Sequence, residues 1–197
     1  MNASDRIFNI IKKNKGYITA DDADRAKIAR RLLSKLATDG RIVKVTRGVY
    51  ILPESFEDEM YFTQYRFKKG VFSHLSALYL HSLTDRTPHQ FTMTFPLGYN
   101  VNSVKKSGII AKVVSEKFYD LGIVKVKTNF GNIVNAYDIE RTLCDILRSN
   151  SGEDIQIVNQ ALKRYISSKH KDIGKLMKYA KFLHVAPKVS AYVEALL

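Results

Sequence analysis

An α+β protein is expected, built as a small helical module closed by a hairpin and followed by a larger mixed part that ends in helices. Three observations carry that expectation. Helix-period and strand-period apolar patterns succeed one another along the 197 residues. Residues 1–53 hold 12 Lys and Arg against 5 Asp and Glu, a net of +7 within a total of +13. Finally, the stretch IARRLLSKLATDGRIVKVTRGVYIL, residues 28 to 52, joins a helix charged on one side to a hairpin charged at its tip.

The composition bounds the class. With 45% hydrophobic and 11% aromatic residues, the chain can bury a real core. Its length suits one large domain or two small ones. No stretch approaches the roughly 18 continuous apolar residues that a membrane span needs. The opening MNASDRIF holds no apolar run of the signal-peptide kind. A single cysteine, Cys144, excludes an intrachain disulfide framework. A cytoplasmic protein without membrane association is expected. The excess of 32 basic over 19 acidic residues sets up a field that attracts polyanions, nucleic acid foremost.

In the first quarter, Ser4 is placed to cap a helix whose Ile7, Phe8, Ile10 and Ile11 face inward, and Gly16 ends it. Thr19 and Asp22 have capping-box spacing for a second helix. A third is expected from about Lys27 to Asp39, stopped by Gly40. No glycine or proline marks the turn between the second and third. At about 100° per residue, Ile28, Ala29, Leu32, Leu33 and Leu36 fall on one side of the third helix. Lys27, Arg30, Arg31, Ser34, Lys35 and Thr38 fall on the other, with four cations and no acid. An ordinary solvated face mixes signs, so a one-sign face points to a polyanionic partner. The alternating IVKVTR then reaches Gly48, and Val49 to Leu52 return as a second strand, with Lys44 and Arg47 near the tip. Helix, turn, cationic helix and basic-tipped hairpin is the layout of a winged helix-turn-helix, whose second paired helix enters the major groove of double-stranded DNA. The expected DNA-facing set is Lys27, Arg30, Arg31, Ser34, Lys35, Lys44 and Arg47. Pro53 and the acidic EDE that follows mark a break, giving domains 1–53 and 54–197.

Beyond the break, helices are expected at Phe56 to Arg66 and in the Ser73-capped SHLSALYLHSL. Strands follow at Gln90 to Phe95, Gly108 to Val114, Ile123 to Lys127 and Ile133 to Tyr137, with a turn at Asn129 to Asn132. Asp138 to Arg148 is helical, and two long helices and a short third close the chain. In the penultimate helix Lys171, Lys175 and Lys178 share the side opposite the apolar residues, a second basic stripe that suits a solvated face as well as a functional patch.

Little points to catalysis. No phosphate-cradling glycine loop is present. His74 and His81, with His89 beyond, lack the spacing of zinc ligands and fit a packed role better. Cys144 follows Leu143 in an apolar run, as an inert buried thiol does. Glu140, Arg141 and Asp145 suit a charged network supporting the fold. No catalytic residue, metal or cofactor is expected.

GYIT, the cationic helix and DGRIVKVTRGVY, followed in order by VFSHLSALYLHSLTDRTP and VNAYDIERTLCDILR, resemble the AbiEi-type antitoxins of abortive-infection toxin–antitoxin systems. RGVY alone is unspecific; the two later motifs, in this order behind a winged helix, are considerably more specific. The resemblance is weakest over residues 97 to 120 and 166 to 197. It implies a phage-defence antitoxin that represses its own operon at inverted repeats in the promoter. It also implies a partner toxin similar to nucleotidyltransferases, counteracted in the type IV manner, which does not require direct contact. Two other readings stay open on the residues: a nuclease carrying a winged helix, and a regulator whose C-terminal part senses a ligand or dimerises.

Overall fold

The computed structural model describes residues 2–148 and 151–196. Helix α1 spans Ala3–Lys13 and begins earlier than the expected Ser4 cap. Asn2 is the N-cap: its side chain accepts from the Asp5 amide, and the Asp5 carboxylate accepts from the Asn2 amide. Ile7 and Ile11, one turn apart, are fully buried. Past Asn14 the backbone turns left-handed at Lys15 (φ 59°) and Gly16 (φ 107°). Gly16 is required there twice over, because a Cβ would also lie 2.2 Å from Ser55 Oγ.

Tyr17–Thr19 form β1, a three-residue strand too short to display a period in sequence. Helix α2, Ala20–Arg25, opens on the Thr19–Asp22 capping box read from the sequence. Helix α3, Arg30–Thr38, starts at Arg30 and not at Lys27. Lys27 sits outside the helix at φ 54° and makes the turn that no glycine marked. β2, Val43–Thr46, and β3, Val49–Ile51, form the hairpin, and a register shift between Lys44 and Thr46 interrupts its alternation. β3 also pairs antiparallel with β1, so the small sheet has the order β1-β3-β2. Helix α4, Glu59–Arg66, starts later than Phe56, which is 86% exposed. Its Phe62 is buried with Val49 and Ile51, and its Tyr61 lies 5.3 Å from the Tyr17 ring. Packing of α4 on the small sheet makes the first compact unit Met1–Arg66, beyond the break expected at Pro53.

The second unit, Phe67–Leu197, is described by itself. It runs β4 (Val71–Phe72), α5 (His74–Leu80), β5 (Thr92–Pro96), α6 (Asn102–Lys105), β6 (Ile110–Val114), α7 (Glu116–Tyr119), β7 (Ile123–Lys127) and β8 (Ile133–Tyr137). Four helices follow: α8 (Ile139–Ile146), α9 (Ile155–Ser167), α10 (Ile173–Phe182) and α11 (Ala186–Leu196). The sheet order is β6-β5-β4-β8-β7. The centre is β4, two residues long, antiparallel to β5 and parallel to β8. Leu78 of α5, Leu143 of α8, Leu162 of α9, Leu176 of α10 and Val189 of α11 share one buried cluster. The molecule is thus α+β with helices closing the chain. Among the described residues no helix is long and apolar enough to cross a membrane.

Candidate functional site

Helix α3 divides as its wheel requires except at Ala29, which the wheel puts on the apolar side and which is the exposed N-cap. Leu33 and Leu36 are 1% and 3% exposed, whereas Arg30, Arg31, Ser34, Lys35 and Thr38 stand at the surface, as does Lys27 in the preceding turn. Burial of the leucines fixes the helix rotation, and rotation leaves the cations no inward choice. Ile42 and Tyr50 of the hairpin belong to the same buried cluster as Leu33 and Leu36, so α3 and the hairpin share a core. Lys44 and Arg47 are exposed on that hairpin. All seven residues read as DNA-facing therefore reach the surface of the first unit.

One feature departs from a one-sign face. Arg30 Nε donates to both carboxylate oxygens of Asp24, at 2.9 and 3.2 Å, and Nη2 completes a fork-to-fork pair. The hydrogen bond from Arg30 holds the Asp24 carboxyl below the usual range. Both partners are exposed, and such pairs contribute little, so the guanidinium can exchange Asp24 for a phosphate. The wheel missed Asp24 because it belongs to α2.

The lysines of α10 and its approach fare differently. Lys175 Nζ lies 2.9 Å from Asp138 Oδ2 and 2.9 Å from Glu140 Oε2, two carboxylates that are buried at the start of α8. Burial alone would lower the Lys175 pKa; hydrogen bonds to Glu140 and Asp138, with their charges, outweigh it and raise the pKa above the usual lysine value. Tyr165 Oη donates to Glu140 at 3.0 Å and Tyr179 Oη to Asp138 at 3.3 Å. Lys171 Nζ donates to the Ile166 carbonyl at 2.6 Å. Of the three lysines read as a second stripe, Lys171 and Lys178 are exposed and Lys175 is half-buried. A possible signal was the pair of acids, Asp138 and Glu140, ahead of an apolar helix.

Deeper in α8, Arg141 is fully buried. Its Nε donates to Asp145 Oδ2 at 2.9 Å, and Nη1 donates to the carbonyls of Phe118 and, at 3.1 Å, Leu121. Its guanidinium carbon lies 4.3 Å from the Tyr137 ring centroid. Burial pushes the Asp145 carboxyl above the usual range, against the charge and hydrogen bond of Arg141. Gly122 (φ 80°) makes room for this arrangement, since a Cβ there would sit 3.0 Å from Arg141 Cβ. Cys144 is buried and its thiol is pushed up to about 12 by desolvation, which leaves it unreactive at neutral pH. His81 Nε2 donates to the Tyr137 carbonyl at 2.7 Å, and a carbonyl acceptor fixes that tautomer. His74 is buried beside Ser73, and His89 is exposed. Among the described residues no three His, Cys, Asp or Glu side chains form a group that could hold a metal.

These features define a two-unit α+β protein whose first unit turns a cationic helix and a basic hairpin outward. Residues 5–53 match the family model described as a transcriptional regulator, AbiEi antitoxin, the family that the sequence motifs resemble. The match takes in α1 to β3 and supports a regulator and antitoxin role. No curated protein matches the sequence. The crystal structure of the RV2827C protein from Mycobacterium tuberculosis is similar in fold, with a TM-score of 0.61 and 14% identity over 99% of this chain and 80% of that one.

Proposed function

We propose that the chain is an antitoxin that represses its own operon, with the first unit acting as a winged helix-turn-helix on promoter DNA. The observation that carries this reading is a coincidence of place. The segment matching the AbiEi antitoxin regulators, residues 5–53, is also the one that holds the exposed cations of α3 and the hairpin. In this reading α2 and α3 are the paired helices and the Lys27 turn joins them. α3 lies in the major groove, and the β2–β3 hairpin with Lys44 and Arg47 follows the phosphates as the wing. Arg31 and Lys35, one turn apart, reach base edges or backbone; Arg30 does so by leaving Asp24. Inverted repeats in the promoter are the expected target. The second unit carries neutralisation of a nucleotidyltransferase-like toxin, for which direct contact is not required.

The test is a gel-shift titration of the intact chain on its own promoter, paired with growth of cells co-expressing the adjacent gene product. Arg31→Ala with Lys35→Ala should weaken promoter binding by about tenfold or more, since good contacts are each worth about 1–3 kcal/mol. The same variant should still rescue growth. Unchanged affinity sinks the assignment of α3, and rescue lost together with repression sinks the division of labour.

A further inference from the structure

A cavity of about 650 Å³ lies in the second unit, assembled from α5, β5, β6, the end of α8 and the segments around α11. Four of its lining residues are basic: Lys112, Arg141, Arg148 and Lys188. Asp145 is the one acid among them, and it is bound to Arg141. Lys112 Nζ donates to the Ser151 carbonyl at 3.2 Å and Lys188 Nζ to the Leu147 carbonyl at 3.1 Å, so both side chains are held in place, and a lining of four cations and one acid favours an anion. Burial foremost, then the positive charges of Lys112, Arg141 and Arg148, keep the His74 imidazole neutral down to about 3.

Two further observations point to a ligand. Nη2 of Arg141 is buried and has no hydrogen-bond partner among the described residues, although every other donor of that guanidinium group identified above is engaged. Leaving a buried charged donor unmade is costly, and such orphans are rare in folded proteins. His74 stands at the cavity wall with φ 51°, a left-handed conformation uncommon for a residue with a side chain. Strain of this kind clusters at binding sites, where the surrounding structure over-determines it.

We infer that this cavity binds a small phosphate monoester, with Arg141 Nη2, Arg148, Lys112 and Lys188 holding the phosphate and Leu183 and Val185 lining the space for the organic body. A doubly charged phosphate matches several cations around one acid better than a single carboxylate does. The volume lies within the roughly 300–1,000 Å³ of small-molecule sites and leaves room for a body of mononucleotide size. The inference does not depend on DNA binding by the first unit.

The experiment is calorimetric titration of the intact chain with adenosine 5′-monophosphate, ribose 5-phosphate, inorganic phosphate, citrate and adenosine. Adenosine 5′-monophosphate and ribose 5-phosphate should bind at one site per chain, inorganic phosphate more weakly, and adenosine not at all. Arg148→Ala with Lys188→Ala, both exposed and so tolerated by the fold, should weaken the phosphate esters by about tenfold or more. Arg31→Ala with Lys35→Ala, on the surface of the other unit, should leave them unchanged. In a parallel thermal melt, adenosine 5′-monophosphate should raise the Tm of the intact chain by mass action but not that of the Arg148/Lys188 variant. The inference is overturned if none of the phosphorylated compounds binds at millimolar concentration, or if adenosine or citrate binds as well as they do. It is equally overturned if the α3 variant, not the cavity variant, abolishes binding.

Discussion

Helices α3 and α10 each set cations opposite an apolar stripe, but the α3 cations stand in water while Lys175 of α10 is drawn onto two buried carboxylates. The difference lies in the neighbours. α3 packs its leucines with residues of α1, α2 and the hairpin, and the acid that its Arg30 meets, Asp24 of α2, is itself exposed. α10 packs on α8, whose first residues bury Asp138 and Glu140 at 7% and 6% exposure. A buried carboxylate demands a partner, and a lysine stem is long enough to bring one. A cationic stripe is therefore a surface for polyanions only where nothing buried competes for it.

The largest effect should come from the fully internal pair of α8. Arg141→Met leaves Asp145 and the Phe118 and Leu121 carbonyls without their donor, and should cost about 3–5 kcal/mol of second-unit stability in urea unfolding. A loss below about 1 kcal/mol would show Asp145 to be protonated in the folded chain.

His74 extends the comparison to pH. The unfolded imidazole takes up a proton near its ordinary value of about 6.5, the folded one only near about 3. Between those limits the unfolded chain binds more protons, so this contribution to stability is complete above the upper limit and is lost as pH falls. Its slope is at most about 1.4 kcal/mol per pH unit. Denaturant midpoints measured from neutral pH down should fall less steeply in His74→Gln than in the parent, and parallel curves would rule the histidine out as the cause.

Lys175→Met tests the two helices against each other. It strips two buried carboxylates of their cation and should destabilise the second unit by about 1–3 kcal/mol, yet leave promoter affinity unchanged. Arg31→Ala with Lys35→Ala should do the reverse. A Lys175 variant that weakens DNA binding while keeping its stability would break the distinction.

The smallest expected effect is on salt dependence. If α3 and the wing neutralise phosphates, log affinity should fall against log salt by about 0.9 per phosphate engaged. Truncating Lys44 and Arg47 should flatten that slope by roughly one or two units. An intact chain with a slope near zero would assign these charges another task.

Local chemistry was legible where a signal lies within a few residues. The Thr19–Asp22 capping box, the apolar stripe of α3, the Gly48 hairpin turn and the strands β7 and β8 each arise from near neighbours, and each stands where the sequence puts it. The same locality explains the misses. Asn2 competes with Ser4 as a cap through an equally local box, and the turn at Lys27 relies on a positive φ that no residue type announces. Strands β1 and β4, three and two residues long, have no period to read and exist because their partners β3, β5 and β8 lie alongside. The exposed cations of α3 follow from the wheel alone, whereas the ties of Arg30 to Asp24 and of Lys175 to Asp138 and Glu140 need helices that meet only after folding. The cavity is the extreme case: His74, Lys112, Arg141 and Lys188 come from four separate elements, and no spacing in the chain relates them. By itself the sequence determined the elements with a period of their own and the outward charge of the first unit, because those depend on neighbours along the chain. Only the tertiary structure decided which charges are spent on buried partners and which gather around an open space, because that depends on neighbours across it.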